Sequence, residues 1–404
     1  MQKAPPFFAR QNSYSVCHFG TFPMSQEYSR NLCVAGSLAT RDWKLYECRV
    51  HNSVDMQTRL KTFKDPFVFT ASCFRSLREW TQLAYRHVQT PLYDVLLVGY
   101  PSHADIFLGA FLARLRGRPV VMDAFVGLYD TVVNDRNLVS ARNPLSRLIR
   151  LWEHTALHMA DLVLVDTPEN ALALSKEYHL PYDRVLPVPV GIDEEVWKPR
   201  PLPAHTSPFR VGFWSTFIAL HGVETVVRAA KMLEEAGEPI QIEVIGDGQM
   251  AERFASLQEE LRPVNIRWHR GFFSMNRVLD LAKKSHCCLG IMGSTSKAAR
   301  VVPYKAYQAL AMGRPLITAD TPAMRRILKH KESALLVPTG SAKSLAEAIT
   351  YLAHDREFCE RLAFEGRRVY ERHLSNRVMG DILNRAFHQV IYTHRERDGA
   401  GKAK

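Results

Sequence analysis

A lysine and a glutamine near the start of a helix have the clearest chemical meaning in this sequence. Residues 302–323, VPYKAYQALAMGRPLITADTPA, predict a helix that opens after Pro303, breaks at Met-Gly-Arg-Pro and leads into a short apolar strand. Lys305 and Gln308 lie one turn apart on it. An anion at the helix start would meet free backbone N–H groups, the positive end of the helix dipole and the lysine. Gln308 could bind a hydroxyl of the same ligand, which indicates a nucleoside-diphosphate sugar.

Two further turns in the second half of the sequence could bind phosphate. His221-Gly222 follows a predicted strand and Thr216, at the point where a helix begins. Such a turn offers backbone N–H groups to an anion, and His221 could donate to a phosphate or cap the helix. The turn Gly246-Asp-Gly248 closes the next predicted strand. It could let a ligand approach the backbone, or be a plain turn.

Small polar residues and cations follow the apolar strand CCLGIM. Residues 293–296 read Gly-Ser-Thr-Ser, and Lys297, Arg300 and Lys305 come after them. Converging cations suit a diphosphate and a sugar ring. For Lys297 an ordinary surface position is the alternative.

The first half of the sequence places polar residues after two predicted strands. Asp123 follows the strand PVVM. At the carboxyl end of a strand it could act as a base or hold a sugar hydroxyl, and a turn cap is the alternative. Gly20 in the sequence HFGT would allow a ligand to approach the backbone, and Arg30 lies where the next helix opens. The G-x-G-x-x-G fingerprint is missing from this turn, which argues against a dinucleotide.

Short apolar strands alternate with helical stretches along most of the chain. Many are continuous apolar runs, which is typical of parallel strands covered on both faces. The predicted fold class is therefore α/β, with two doubly wound Rossmann-like domains. The predicted strands are at 14–19, 95–99, 119–122, 162–166, 185–187, 210–214, 241–246, 265–268, 287–291, 316–318 and 334–337. The predicted units are an N-terminal domain at 1–200, a proline-rich linker at 198–208, a C-terminal domain at 208–375, and a helix with a basic tail at 376–404.

Composition restricts the partners of the chain. Its 404 residues carry a net charge of +12, which suggests contact with phosphate on nucleic acid, lipid or a charged substrate. The sequence has no zinc-type cysteine spacing, no RNP-like aromatic pattern and no basic region before heptads, so nucleic acid is not expected as a partner.

No apolar run has the length of a membrane span, and no secretory signal is evident. The seven cysteines lack a pairing rhythm, which favours reduced thiols in the cytoplasm.

The stretch from Phe74 to Val88 predicts a basic amphipathic helix. Such a helix with a tryptophan can lie on an anionic membrane surface, and packing inside the first domain is the alternative. The predicted apolar stripe comprises Phe74, Leu77, Trp80, Ala84 and Val88, and the basic residues are Arg75, Arg78 and Arg86.

Together these segments resemble a family 4 (group 1) glycosyltransferase, whose fold is GT-B. The resemblance extends over about residues 14–375 and rests on the order and spacing of several motifs. They are HFGTF with EYSRN, ADLVLVDTPENA, VLPVPVGID, GFWSTFIALHG, EVIGDG, WHRGFF, VVPYKAYQALAMGRPLIT and SALLVPTG.

The resemblance implies two domains facing each other across a cleft, with the nucleotide on the C-terminal side and the acceptor on the N-terminal side. The last helix is expected to return to the N-terminal domain. Thr216 and His221 match the family's diphosphate-binding Arg and Lys, Gln308 matches its ribose-binding Glu, and Asp123 its catalytic His or Asp. The sugar-binding Glu-Gly-Phe-Gly loop of many members is replaced by residues 294–300.

The implied reaction is hexosyl transfer with retention of configuration, in cell-surface polysaccharide or glycolipid synthesis. Stabilisation of the leaving diphosphate needs no metal or cofactor. The implied partners are a nucleotide sugar, a saccharide or lipid-linked acceptor and an anionic membrane, with attachment to the inner face of the plasma membrane. The alternatives are a GT-B nucleotide-sugar epimerase or hydrolase, and a non-catalytic basic protein that binds membranes or nucleic acid.

The candidate site residues fall into three groups. The catalytic candidates are Asp123, His221 and Lys305. The donor-binding candidates are Gly20, Thr216, Gly246, Gly248, Phe272, Ser294, Thr295, Arg300, Tyr304 and Gln308. The acceptor-side candidates are Tyr28, Arg30, Tyr129 and Asp130.

Overall fold

The computed structural model describes residues 14–24, 29–51, 66–204 and 207–402. Twelve strands form in these residues. The first six are β1 (Ser15–Thr21), β2 (Lys44–Val50), β3 (Val95–Val98), β4 (Val120–Phe125), β5 (Leu162–Val165) and β6 (Val185–Pro187). The second six are β7 (Phe209–Ser215), β8 (Ile240–Gly246), β9 (Ile266–Arg270), β10 (Cys287–Leu289), β11 (Leu316–Ala319) and β12 (Leu335–Val337).

The strands build two six-stranded sheets in which every pair is parallel. The spatial order is β2-β1-β3-β4-β5-β6 in the first sheet and β12-β11-β10-β7-β8-β9 in the second. The strand order reverses between β1 and β3 in one sheet and between β7 and β10 in the other. The predicted pair of doubly wound α/β sheets is therefore confirmed, and ligands of such sheets bind beyond the strand ends at these two switch points.

Helices connect the strands and cover both faces of each sheet. In the first half they are α1 (Ser29–Ala39), α2 (Pro66–Gln89), α3 (Asp105–Leu115), α4 (Pro144–His158) and α5 (Pro168–Tyr178). In the second half they are α6 (Val223–Glu235), α7 (Ala251–Leu261), α8 (Met275–Lys284), α9 (Tyr304–Met312), α10 (Pro322–Ile327), α11 (Ala342–His354), α12 (Arg356–Val369) and α13 (Asn376–Lys402). Short turns add 3₁₀ helices at Tyr182–Arg184 and Ala219–His221 and π-helical turns at Asp130–Asp135 and Tyr370–Leu374.

The buried apolar side chains separate the two faces of the first sheet. Leu83 of α2, Leu157 of α4 and Leu174 of α5 share one core cluster. Leu38 of α1 packs with Met379 of α13 in the cluster on the other face. The final helix thus contacts the first half of the chain, and it continues to Lys402 where the sequence predicted a tail.

Strand β2 was missed by the sequence reasoning. Its sequence, KLYECRV, lies at the edge of the first sheet, and only two of its seven residues are fully buried. An edge strand needs no continuous apolar run, because one side of its backbone and part of its faces meet solvent.

Helix α9 begins and ends where its sequence predicts. Pro303 is the N-cap residue in an extended conformation, so the first backbone N–H groups of the helix are not capped by a side chain. Gly313 ends the helix with a φ of 70°, a conformation that favours glycine. The chain then enters β11 directly, which places the start of α9 beside the carboxyl end of the second sheet.

Candidate active site

Lys305 lies in the first turn of α9 and is almost completely buried. Its side chain is 5% exposed, and its Nζ has no hydrogen-bond partner among the described residues. Nζ lies 4.3 Å from the centre of the Phe213 ring, within range of a cation–π interaction. Burial lowers the pKa of Lys305 well below 10.5. A buried amine without a hydrogen-bond partner at a helix N-terminus is suited to pair with an anion.

His221 occupies the turn between β7 and α6. Its Nδ1 hydrogen-bonds with the Ser215 hydroxyl, and its carbonyl accepts from Met292 N at 3.1 Å. Burial lowers the pKa of His221 well below 6.5, and the positive charges of Lys305 and Arg136 lower it further. The imidazole is therefore neutral at neutral pH and can serve an anion as a hydrogen-bond partner but not as a cation.

A glycine allows this turn to approach the loop after β10. Gly222 has a φ of 62°, and a Cβ atom there would lie 2.5 Å from Gly293 N. Leu220 O accepts from Gly293 N at 3.1 Å. The two loops that flank the switch point between β7 and β10 are thus in direct backbone contact.

The other glycines are explained by contacts within the protein. A Cβ at Gly246 would lie 2.0 Å from Ser215 O, and one at Gly248 would lie 2.5 Å from Thr216 O. A Cβ at Gly20 would lie 3.1 Å from Asp105 Oδ2. These three positions were predicted to bring the backbone close to the donor. In the structure the close neighbours are the protein's own loops and side chains.

Two cations predicted to face the donor instead form ion pairs across the cleft. Lys297 Nζ lies 3.2 Å from Asp135 Oδ2 and 3.1 Å from the Thr131 hydroxyl. Arg300 Nη2 lies 2.9 Å from Asp130 Oδ2. We refer to these two pairs, Asp130–Arg300 and Asp135–Lys297, as the cross-cleft clasp. Asp130 was predicted on the acceptor side, and it is the partner of Arg300.

The position of Gln308 differs from the predicted one. Its side chain is 2% exposed, and its Oε1 accepts from Trp214 Nε1 at 2.7 Å. Its Nε2 lies 3.8 Å from Met275 Sδ. The amide oxygen that was predicted to bind ribose is therefore used inside the protein, because Trp214 on β7 brings a buried indole N–H that needs an acceptor.

Asp123 does not lie free in the cleft as predicted. Its side chain is 1% exposed, and both oxygens accept from Arg30, at 2.9 Å from Nε and 3.1 Å from Nη2. Arg30, predicted on the acceptor side, is 4% exposed and also donates to Val188 O at 3.2 Å. A bidentate buried ion pair satisfies the charges of both groups within the protein.

The remaining candidates are spread around the cleft. Tyr304 hydroxyl lies 2.9 Å from the Ser29 hydroxyl, which joins α9 to α1. Tyr129 is held by Glu153, which accepts from its backbone N at 2.8 Å. Thr295 Oγ1 accepts from Ala298 N at 3.1 Å. Three candidates are exposed, namely Thr216, Phe272 and Ser294. Tyr28 lies outside the described residues.

Comparison with known proteins identifies the second half of the chain. Residues 198–369 match the model of the family "Glycosyl transferases group 1". The chain carries a group 1 glycosyltransferase domain. The putative colanic acid biosynthesis glycosyltransferase WcaL of Escherichia coli is 21% identical over 260 residues, 62% of each chain. The phosphatidyl-myo-inositol mannosyltransferase of Mycobacterium leprae is 25% identical over 165 residues, 40% of this chain and 41% of the relative.

The architecture as a whole is that of the GT-B fold. The crystal structure of Anabaena HepE in complex with UDP superposes with a TM-score of 0.64 at 12% identity, covering 93% of this chain and 100% of HepE. The chain therefore matches the full length of a GT-B structure. By sequence, it spans 62% and 41% of the lengths of the two curated relatives.

The glycosyltransferase domain also faces polar residues that were not chosen from the sequence as candidate site residues. Arg136 follows the π-helical turn, and its charge acts on His221. Asp166 at the end of β5 accepts from Asn170 Nδ2 at 2.7 Å, and burial raises the pKa of its carboxyl group to about 6. Asp166 follows the apolar strand LVLV and could have been found by the rule that located Asp123. No spacing rule would have found Arg136, because a π-helical turn sets its position.

Proposed function

We propose that this protein is a glycosyltransferase that moves a sugar from a nucleoside-diphosphate donor to a saccharide acceptor. The observation that carries the proposal is Lys305, a buried amine without a hydrogen-bond partner among the described residues, at the uncapped start of α9. It lies in a group 1 glycosyltransferase domain, at the end of a doubly wound sheet where ligands of this architecture bind. A diphosphate would supply the negative charge that the site lacks.

The proposed chemistry is retaining transfer without a metal. Negative charge develops on the leaving diphosphate, and fixed positive charge and dipoles at that position lower the barrier. Lys305 and the N–H groups at the start of α9 would supply them, and the neutral His221 with Ser215 would add hydrogen bonds. Contacts across the cleft, such as Tyr304 with Ser29, would keep water away from the donor.

The proposed acceptor is a lipid-linked saccharide for cell-surface polysaccharide or glycolipid synthesis. This part of the proposal is supported by two relatives, one named for colanic acid biosynthesis and one for mannosylation of phosphatidyl-myo-inositol. Both names point to acceptors that are built at a membrane. The proposed location is therefore the cytoplasmic side of the plasma membrane.

A panel of nucleotide sugars tests the reaction. We expect one of UDP-, GDP-, ADP- or dTDP-linked hexoses to raise the melting temperature of the protein, since binding to the native state stabilises it. With that donor and a lipid extract, labelled sugar should appear in a lipid-linked product. A hydrolase would release free sugar, and an epimerase would change the donor without an acceptor. A protein that binds none of the donors would refute the proposal.

The membrane part of the proposal rests on an exposed apolar surface of the first half. Phe74, Leu77 and Val88 of α2 are 77%, 61% and 74% exposed. Neighbouring helices of the same sheet face add Phe111, Leu115, Leu148 and Leu151, each at least 58% exposed. We call these seven residues the apolar face. The predicted stripe is thus only partly correct, because Trp80 turns inward and donates to Asp105 Oδ1 at 3.0 Å.

Basic residues accompany the apolar face, which favours an anionic bilayer as its partner. Arg75, Arg78 and Arg86 are all exposed on α2. Apolar side chains flanked by arginines match the interface between headgroups and acyl chains. None of the helices in the described part of the chain is both long and apolar enough to span a bilayer. The proposed attachment is therefore peripheral.

Vesicle binding should depend on charge. Each basic residue near an anionic surface contributes about 1 kcal/mol, so we expect co-sedimentation with phosphatidylglycerol vesicles that fades as salt rises. The triple variant Arg75→Glu, Arg78→Glu, Arg86→Glu should not pellet, yet should bind the donor as before. The control reverses three exposed cations of the second half, Lys284, Lys329 and Lys343, and should still pellet. Equal pelleting with anionic and neutral vesicles would contradict this attachment.

A further inference from the structure

Glu153, in the second half of α4, is a fully buried carboxylate. Its Oε1 accepts from Leu128 N at 2.6 Å, and its Oε2 accepts from Tyr129 N at 2.8 Å and from the Tyr178 hydroxyl at 2.6 Å. His103 Nε2 lies 3.4 Å from Oε1. Burial alone raises the pKa of this carboxyl group, but His103 and the hydrogen-bond donors outweigh burial and lower the pKa below its ordinary value. The group is therefore ionised at neutral pH, and its charge is satisfied inside the protein.

Two of these donors are backbone N–H groups that open the π-helical turn Asp130–Asp135. Tyr129 is the N-cap residue of the turn, and its side chain makes no capping hydrogen bond. Glu153 supplies the cap from another helix, where an anion is also favoured by the backbone dipoles. A Cβ atom at Gly127 would lie 3.4 Å from Glu153 Oε1 and 3.5 Å from Asp130 Cβ. The carboxylate and the first residue of the turn are therefore neighbours.

Apolar contacts also bind the turn to α4. Val132 and Val133 of the turn are buried in one cluster with Ile149 of α4. The guanidinium of Arg150 on the same helix lies 5.2 Å from the centre of the Tyr129 ring. Apolar contacts are not directional, whereas hydrogen bonds are. The carboxylate of Glu153 therefore fixes where on α4 the turn begins.

The other side of the turn reaches the second half of the chain through the cross-cleft clasp. Asp130, the first residue of the turn, pairs with Arg300 at 2.9 Å. Asp135, its last residue, pairs with Lys297 at 3.2 Å. Both cations lie in the loop between β10 and α9, which leads directly to Lys305. A shift of the turn on α4 would therefore move this loop relative to the first half.

We propose that Glu153 is a positioning residue for the transfer reaction, because it fixes the turn through which the clasp holds the donor side of the cleft against the acceptor side. This inference rests on the proposed function. A fully buried residue does not contact either substrate, so its effect passes through the turn. A misplacement of about 1 Å between reacting groups can cost about a hundredfold in rate. A loosened turn would also admit water to the donor, while Lys305 would still bind it.

The division between transfer and hydrolysis tests this role. Glu153→Gln offers an amide N–H₂ where one backbone N–H needs an acceptor. With the donor found in the nucleotide-sugar panel and a lipid extract, this variant should transfer sugar at least about tenfold more slowly and release a larger share as free sugar. Titration calorimetry with the nucleoside diphosphate of that donor should give an affinity within about threefold of the wild type.

The matched control is Tyr178→Phe. It removes the hydroxyl that donates to the same carboxylate at 2.6 Å and leaves both backbone donors of the turn in place. Urea unfolding measures the stability that each variant loses. Tyr178→Phe should transfer sugar like the wild type even where it loses as much stability as Glu153→Gln.

Hydrogen exchange measures the turn without any substrate. In Glu153→Gln the amides of residues 128–135 should exchange faster than in the wild type and in Tyr178→Phe. Should Glu153→Gln not fold, Asp130→Asn weakens the clasp at a less buried position and should cause the same change from transfer to hydrolysis.

Several results would overturn the proposal and leave the proposed function intact. One is an equal loss of transfer in Tyr178→Phe and Glu153→Gln, which would give Glu153 an ordinary stabilising role. Others are wild-type transfer in Glu153→Gln or in Asp130→Asn, and unchanged exchange at residues 128–135 in Glu153→Gln. If the wild type turns over no donor, the proposed function fails, and the positioning role of Glu153 fails with it.

Discussion

Replacing Lys305 with alanine is expected to weaken binding of the nucleoside-diphosphate donor by tenfold to a hundredfold, while the protein remains folded. The lost contact is a charge-assisted hydrogen bond, worth about 1.5–3 kcal/mol. Folding should not suffer, because Lys305 Nζ has no hydrogen-bond partner among the described residues. Its burial costs desolvation free energy, which only the cation–π contact with Phe213 at 4.3 Å partly offsets among the described residues. Isothermal titration measures the affinity, and urea unfolding measures the stability.

The affinity of the wild type should also depend on pH. Burial lowers the pKa of Lys305 well below 10.5 in the free protein, and a bound diphosphate would raise that pKa. Between these two pKa values the complex holds one proton more than the free protein, so affinity should fall as pH rises through this window. His221 titrates at lower pH, because its own pKa is lowered well below 6.5. Above about pH 7.5, the change of affinity with pH therefore reports the titration of Lys305 without that of His221.

The number of protons taken up when the donor binds can be measured. Titrations in buffers with different ionisation enthalpies should show proton uptake on binding to the wild type, and none in this pH range for Lys305→Ala. The matched control is Lys283→Ala, a lysine in the last turn of α8 that pairs with Asp280 at 2.9 Å. It should bind like the wild type. Unchanged affinity in a folded Lys305→Ala variant would remove Lys305 from the site.

Apart from β2, the strands of both sheets can be predicted from the sequence, because the apolar residues that identify each strand are consecutive in the chain. Runs such as VLLV in β3 and LVLV in β5 are buried on both faces and need no distant information. The Pro303 start and Gly313 end of α9 are likewise local signals. Lys305 could be chosen as a phosphate ligand for the same reason, since a helix N-terminus after a strand is readable from sequence.

Side-chain partners are what the sequence alone could not supply. Gln308 looked free to bind a hydroxyl until the fold brought the indole of Trp214 to it, 94 residues away in sequence. Arg300 and Lys297 looked like donor ligands until the π-helical turn brought Asp130 and Asp135 against them. A motif gives the strand end at which a residue lies. It does not give the opposing residue, which depends on how the two halves meet.

Replacing Asp123 with asparagine is expected to destabilise the protein by about 3–5 kcal/mol, because it leaves the charge of Arg30 buried without a counter-charge. The sequence had instead predicted that Asp123 acts as a base or holds a sugar hydroxyl in the cleft. Urea unfolding monitored by tryptophan fluorescence should show a midpoint well below that of the wild type. As a control, Glu177→Gln removes the exposed ion pair with Arg150 and should cost less than about 1 kcal/mol.

A double variant tests whether stability requires the ion pair itself, or only that neither charge is buried alone. Arg30→Met with Asp123→Leu removes both charges and keeps apolar volume, so most of the lost stability should return. Arg30 also donates to Val188 O at 3.2 Å, and the Asp123 backbone oxygen accepts from the Ser102 hydroxyl at 2.8 Å. The pair therefore fixes α1 against β4 and the segment after β6, at the carboxyl end of the first sheet.

If Asp123→Asn unfolds like the wild type but turns over no donor, Asp123 acts in the reaction after all. If stability and turnover fall together and both return in the double variant, its role is to hold the acceptor side of the cleft in shape.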